Sequence, residues 1–99
     1  MSLNKKQRSH LKQQAHALKP VVMLGQHGLT DAVVNETEQA LEAHELIKVR
    51  FNAGDRDTRA EFIEELARRT DAEVVQTIGR MAVLYRPPRE RPPRLELPK

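Results

Sequence analysis

The sequence contains no cysteine, which excludes a disulfide framework and any thiolate metal site. Aromatic side chains are almost as scarce: Phe51, Phe62 and Tyr85 are all there are. A platform that stacks several bases in succession, as in RRM or OB-fold domains, is therefore not expected. The only serines, Ser2 and Ser9, sit near the N-terminus outside any nucleophile-elbow pattern. The glycines form neither a Walker nor a Rossmann pattern. No apolar run approaches the roughly 18 residues of a membrane span. The charged start Met1-Ser2-Leu3-Asn4-Lys5-Lys6 leads into no apolar signal segment. These gaps point away from secretion, membranes, cofactors and catalysis, and toward a binding protein of the reducing cytoplasm.

Histidine does little to restore a metal hypothesis. His10 and His16 are six apart, His27 and His44 stand alone, and no pair has the i, i+4 spacing of a helical zinc motif. Carboxylates such as Glu64 and Glu65 fall on polar helical faces, where solvation accounts for them.

What is present is polarised charge. The 99 residues carry a formal net charge of only +3. Yet the first 30 include Lys5, Lys6, Arg8, Lys12 and Lys19 and no acid. Residues 31–47 then hold Asp31, Glu36, Glu38, Glu42 and Glu45 with no lysine or arginine, and Arg86, Arg89, Arg91, Arg94 and Lys99 mark the C-terminal segment. Basic ends of this kind suit a polyanionic partner.

Hydrophobic spacing supplies the element order. Leu11, Ala15 and Leu18 recur at helical intervals over residues 4–18, with Lys5, Arg8 and Lys12 sharing a neighbouring strip. The helix should stop ahead of Pro20. Val21-Val22-Met23-Leu24 reads as a buried strand. Thr30 is placed to cap a second helix whose inner face is Val33, Val34, Thr37, Leu41 and His44. In Leu46–Phe51, Ile47, Val49 and Phe51 alternate with Leu46, Lys48 and Arg50, which gives a strand with one buried and one partly basic face. Thr58 and Glu61 have capping-box spacing for a third helix with Phe62, Ile63 and Leu66 inside. Glu73–Ile78 and Met81–Arg86 flank Gly79-Arg80 as a hairpin. The predicted fold is a compact single-domain α/β sandwich of order α-β-α-β-α-β-β, with a parallel pair in a mixed four-stranded sheet. Residues 1–86 form the domain. Residues 87–99, with five of the six prolines, should be an extended, mobile Pro/Arg tail.

The segment Gly25-Gln26-His27-Gly28 lies between a strand and a helix start. Glycines there allow a tight turn and a close backbone approach, and the helix behind points free N–H groups and a positive dipole end at the loop. A phosphate could rest on such amides, although GxxG spacing also suits a plain strand-to-helix turn.

Taken together, Lys6-Gln7, Leu11, Ala15-His16, Leu18-Lys19-Pro20-Val21-Val22 and Gly25-Gln26-His27-Gly28-Leu29-Thr30 resemble the signature of the YhbY-like CRM-domain family. Glu45-Leu46-Ile47-Lys48-Val49, Ile78-Gly79-Arg80 and Leu84-Tyr85-Arg86 extend the likeness over roughly residues 3–87. The resemblance implies a fold similar to the C-terminal domain of bacterial translation initiation factor three. It also implies binding to RNA, with bacterial single-domain members associating with precursors of the large ribosomal subunit and its rRNA. By position it assigns RNA contact to Gly25, Gln26, His27 and Gly28, with a basic surface from Lys5, Arg8, Lys12 and Lys19. Lys48, Arg50 and Arg80 are further candidates by charge. Where many relatives carry a lysine or arginine inside the loop, this chain has Gln26 and His27. A monomer without cofactor or metal is expected. The competing reading is a protein-interaction module that uses the Pro/Arg tail as a polyproline II ligand, or the acidic helix as a docking face.

Overall fold

The computed structural model describes residues 2–99. Seven elements follow in the predicted order: α1 (Lys5–Ala15), β1 (Pro20–Leu24), α2 (Asp31–His44), β2 (Leu46–Phe51), α3 (Arg56–Thr70), β3 (Glu73–Ile78) and β4 (Met81–Tyr85). Each helix begins at a polar cap. Asn4 accepts the Gln7 N–H (2.7 Å) while the Gln7 side chain accepts the Asn4 N–H (3.1 Å), a reciprocal capping box that stabilises the start of α1. Thr30 accepts the Val33 N–H ahead of α2, as expected. At α3 the cap is Asp55, which accepts the Thr58 N–H at 2.8 Å. The expected Thr58 cap thus lies inside the first turn, because Asp55 three residues earlier supplies the stronger charged acceptor.

The sheet order is β1-β2-β4-β3. Strands β1 and β2 are parallel, while β2–β4 and β3–β4 are antiparallel. Helices α2 and α3 cover one face through a cluster that includes Val22, Leu24, Leu41, Val49, Phe51, Leu66 and Leu84. Six of these seven leave no exposed surface. Burying each leucine of this kind stabilises the fold by about 2 kcal/mol before entropy is counted.

On the opposite face α1 crosses the sheet and buries Leu11 and Ala15 against Leu46, Val75, Val83 and Tyr85. It crosses only one end. The pairing registers define three rows of side chains there: Leu46, Tyr85 and Glu73; then Lys48, Val83 and Gln76; then Met23, Arg50, Met81 and Ile78. The first row and Val83 of the second lie beneath α1. In the last row Arg50 is exposed, and Met23 and Ile78 are 57% and 53% exposed.

The C-terminal segment is held against the helical layer, which differs from the free tail expected of it. Arg86 is 3% exposed; it donates to Glu38 (2.7 Å), Glu42 (3.3 Å) and the Thr70 carbonyl (3.1 Å). Beyond it, Glu42 accepts the backbone N–H groups of Arg89 and Glu90. Glu45 accepts from the Arg91 side chain and from the N–H groups of Arg94 and Leu95. Leu95 and Leu97 pack on the α1 cluster. Five prolines prevent regular structure, but they leave enough N–H groups for carboxylates to grip.

Candidate nucleic-acid interface

The turn Gly25–Gly28 closes with a bond from the Gly28 N–H to the Gly25 carbonyl (3.0 Å). Gly25, Gln26 and His27 are exposed. Two physical facts separate the glycines. A Cβ on Gly25 would meet nothing within 4 Å, whereas Gly28 sits at φ +73° with its Cβ position 3.3 Å from the Phe62 ring. The same ring lies 3.6 Å from the Cβ position of Gly54, in the loop after β2. Phe62 thus anchors two neighbouring loops, which the Asn52 N–H to Leu24 carbonyl bond (2.9 Å) also joins. Gly28 is needed for packing, and Gly25 is left bare.

The other predicted residues fall into two groups. Arg50 occupies the last row of the sheet, beside the loop, and donates to Asn52 at 2.9 Å. Arg80 caps the hairpin at the same end, where its carbonyl accepts the Phe51 N–H. Lys48 lies one row further in, half-buried. On α1, at about 100° per residue, Lys5 and Lys12 take one flank of the Leu11–Ala15 stripe, and His10 and Gln14 take the other. The tail borders this helix at two hollows. Leu95 shares a hollow with Gln14 and Leu18, and Pro98 one with Lys5, His10 and Gln13. Helical phase puts Lys12 on the Arg8 side of the stripe, the side that reaches Val74 and Val75 of β3.

Two predicted residues do not join this surface in the way the spacing suggested. Lys19 is exposed but precedes β1, so the length of that strand, about 16 Å at 3.3 Å per residue, separates it from the loop. Arg8 is half-buried, and its guanidinium donates to the carbonyls of Val74 (2.6 Å) and Val75 (3.0 Å). Those carbonyls belong to edge strand β3, where the ladder with β4 shifts register between Val74 and Gln76. Arg8 thus satisfies acceptors that the irregularity leaves over. Helical spacing could show that Arg8 shares a strip with the lysines, but not that a bulge would claim it.

Arg56 and Arg59, at the start of α3 beside the Asn52–Asp55 loop, also border this end, with Arg59 donating to the Gly54 carbonyl at 3.2 Å. In the chain they stand among the acids Asp55, Asp57 and Glu61. Among the described residues, the ion pairs use Arg68, Arg69, Arg86, Arg89 and Arg91. Lys5, Lys12, Lys48, Arg50 and Arg80 take part in none of them. No group of three or more His, Asp or Glu side chains able to hold a metal ion forms among the described residues, and no helix there is long and apolar enough to cross a membrane.

A family model described as the CRS1 / YhbY (CRM) domain matches residues 3–86. The chain belongs to the CRM-domain family. Among relatives of this CRM domain, a Haemophilus influenzae protein named as an RNA-binding protein is 49% identical over 98 residues, covering 99% of this chain and 97% of its own. A Pseudomonas aeruginosa protein named as a probable RNA-binding protein is 42% identical over 86 residues, 87% of this chain and 83% of that one. The solution structure of a Staphylococcus aureus protein, described as a candidate RNA binding protein, aligns with a TM-score of 0.82 at 35% identity. That alignment covers 98% of this chain and all of the other. The CRM fold thus extends over the sheet, the three helices and the glycine turn.

Proposed function

We infer that this chain is an RNA-binding protein that grips the sugar-phosphate backbone through the Gly25–Gly28 turn and the cations beside it. Its role is binding without catalysis, as a monomer in the cytoplasm, on precursors of large-subunit rRNA within pre-ribosomal particles. Residues 1–86 are the binding unit and 87–99 an accessory segment.

The observation that carries the reading is at one end of the sheet: an exposed turn with bare backbone at Gly25, next to Arg50 and Arg80, on a molecule whose α1 lysines form no ion pair among the described residues. The uncovered last row and Lys48 beside it include no acidic side chain. Cations without carboxylate partners are free to displace counterions from phosphates. Membership of the CRM family and the names of the relatives support the same ligand. The rival docking module loses force because its two pieces, the acidic helix and the Pro/Arg segment, are engaged with each other.

The test has two parts. Replacing Lys5 and Lys12 with glutamine should weaken RNA binding and lower the slope of log K against log salt by somewhat less than two, at about 0.7–0.9 per phosphate contact. Crosslinking in cells should enrich large-subunit rRNA precursor. An unchanged slope removes the basic flank from the interface, and crosslinks spread over all RNA classes refute the ribosomal assignment.

A further inference from the structure

The last row of the uncovered face mixes two kinds of side chain that a purely phosphate-directed surface would not need together. Met23, Arg50, Met81 and Ile78 lie side by side, one from each strand, because their registers pair Met23 with Arg50, Arg50 with Met81, and Met81 with Ile78. Met23 and Ile78 are among the few large apolar side chains left exposed. Two such residues in line with a methionine and an arginine, with Lys48 in the next row, make a small amphipathic floor. Exposed apolar surface set among unpaired cations marks a contact site.

We propose that this row seats unpaired nucleotides of the bound RNA, with bases against Met23, Met81 and Ile78 and phosphates over Arg50 and Lys48. The proposal rests on the RNA-binding reading above and adds which form of RNA the site takes. A paired A-form helix hides the faces of its bases and offers phosphates and 2′-hydroxyls, which lysines and arginines alone would satisfy. An unpaired strand exposes base faces, and these want an apolar floor with cations at its margin. With no aromatic side chain in the row, methionine takes over part of the role: its thioether is flexible and polarisable and makes favourable contacts at aromatic ring edges. Four strands about 4.8 Å apart give a floor about 14 Å wide. That is room for about three nucleotides, comparable to the four that a GXXG-loop domain clamps. The row ends at β1, whose next residues after Leu24 are the Gly25–Gly28 turn, so a strand leaving the floor passes directly onto the bare backbone there. Charge selects the occupant: a polyanion with apolar faces fits a surface with cations, apolar groups and no acid.

The experiment titrates the full chain with a labelled ten-nucleotide RNA, single-stranded or annealed into a blunt duplex, at several salt concentrations. The proteins are the unaltered chain, the double variant Met23→Ser with Ile78→Ser, and the double variant Lys5→Gln with Lys12→Gln. Both apolar positions are more than half exposed, so the first variant should keep its far-UV CD spectrum and melting temperature. The expected result is tighter binding of the single strand, an affinity loss of about tenfold for it in Met23→Ser/Ile78→Ser from reduced apolar contact, an unchanged salt slope, and little change for duplex. Lys5→Gln/Lys12→Gln should instead weaken both RNAs and reduce the slope. Equal or better binding of duplex by the unaltered chain overturns the proposal, as does single-strand affinity that survives loss of Met23 and Ile78, which would leave the row to a protein partner. In both cases RNA binding by the cationic flank would stand. Failure to bind either RNA at low salt would remove the RNA reading itself.

Discussion

The two ends of the sheet treat positive charge in opposite ways. Where β2 begins and β4 ends, Arg86 is almost completely enclosed and Arg91 is largely so, each on carboxylates of α2 or the residue that follows it. Where β1 and β2 end, Arg50 finds a neutral amide, and Lys48 and Arg80 form no ion pair among the described residues. The first group holds the molecule together, and the second is the one we propose for RNA. Composition counts both groups alike; only their carboxylate neighbours tell them apart.

The largest effect that should break this contrast is at Arg86. Its guanidinium joins α2, the end of α3 and the start of the tail, while its Nε has no partner. Arg86→Ala takes this donor from Glu38, Glu42 and the Thr70 carbonyl, leaving Glu42 with the Arg89 and Glu90 N–H groups. Removing one partner of an enclosed ion pair is costly, and because the two glutamates keep some solvent the loss should be about 3 kcal/mol. Urea unfolding measures it. RNA affinity of the folded fraction should stay within about twofold, since the open end is untouched; a large affinity loss at full folding would erase the division between the two ends.

A smaller effect is expected at Glu45, the single residue between α2 and β2. It holds φ +68°, a conformation side chains rarely adopt, and its carboxylate is 2% exposed. Burial pushes the Glu45 carboxyl up, but the Arg94 N–H, the Arg91 side chain and the Leu95 N–H together leave it below its ordinary value of 4.5. Glu42 is lowered as well, by the Arg89 and Glu90 N–H groups and then by Arg86. A lowered folded-state value means that the stabilisation is fully present above the ordinary value and is lost as pH falls through the lowered one. Deleting residues 88–99 should therefore destabilise the chain at neutral pH and matter progressively less below about pH 4.5. Glu45→Gln should reproduce about 1–2 kcal/mol of that loss at neutral pH, the scale of hydrogen bonds to a charged acceptor. A difference between full and shortened chains that persists at low pH would show that Leu95 and Leu97, rather than the carboxylates, retain the tail.

Most of the fold was legible because periodicity and caps are local. The alternation of Ile47, Val49 and Phe51 with Lys48 and Arg50, the Thr30 cap and the Gly79-Arg80 turn each follow from a few adjacent residues. The site was legible only in part. Alternation says that Lys48 and Arg50 share a face with Leu46, but not that α1 covers Leu46 and stops short of Arg50. Nor can a run of prolines and arginines reveal that Glu42 and Glu45 will accept its N–H groups, since those partners lie more than 40 residues away. The fate of Arg8 has the same cause: a register shift in β3, remote in sequence, decides it.

The smallest expected effect sharpens the comparison most, because it separates folding from binding within one turn. Gly28 needs its positive φ, and a methyl group there would press on Phe62 at 3.3 Å. Gly28→Ala should cost about 1 kcal/mol or somewhat more in stability, and any fall in RNA affinity would be confounded by movement of the loop. Gly25 has neither constraint, so Gly25→Val should unfold within about 0.5 kcal/mol of the unaltered chain. Its added side chain stands where a sugar-phosphate backbone would otherwise touch main-chain atoms, so RNA binding should weaken severalfold at an unchanged salt slope, because no cation has been removed. Equilibrium titration at two or more salt concentrations reads both quantities. Affinity equal to that of the unaltered chain would mean that the turn is a connector between β1 and α2, and that binding depends on the cations around it.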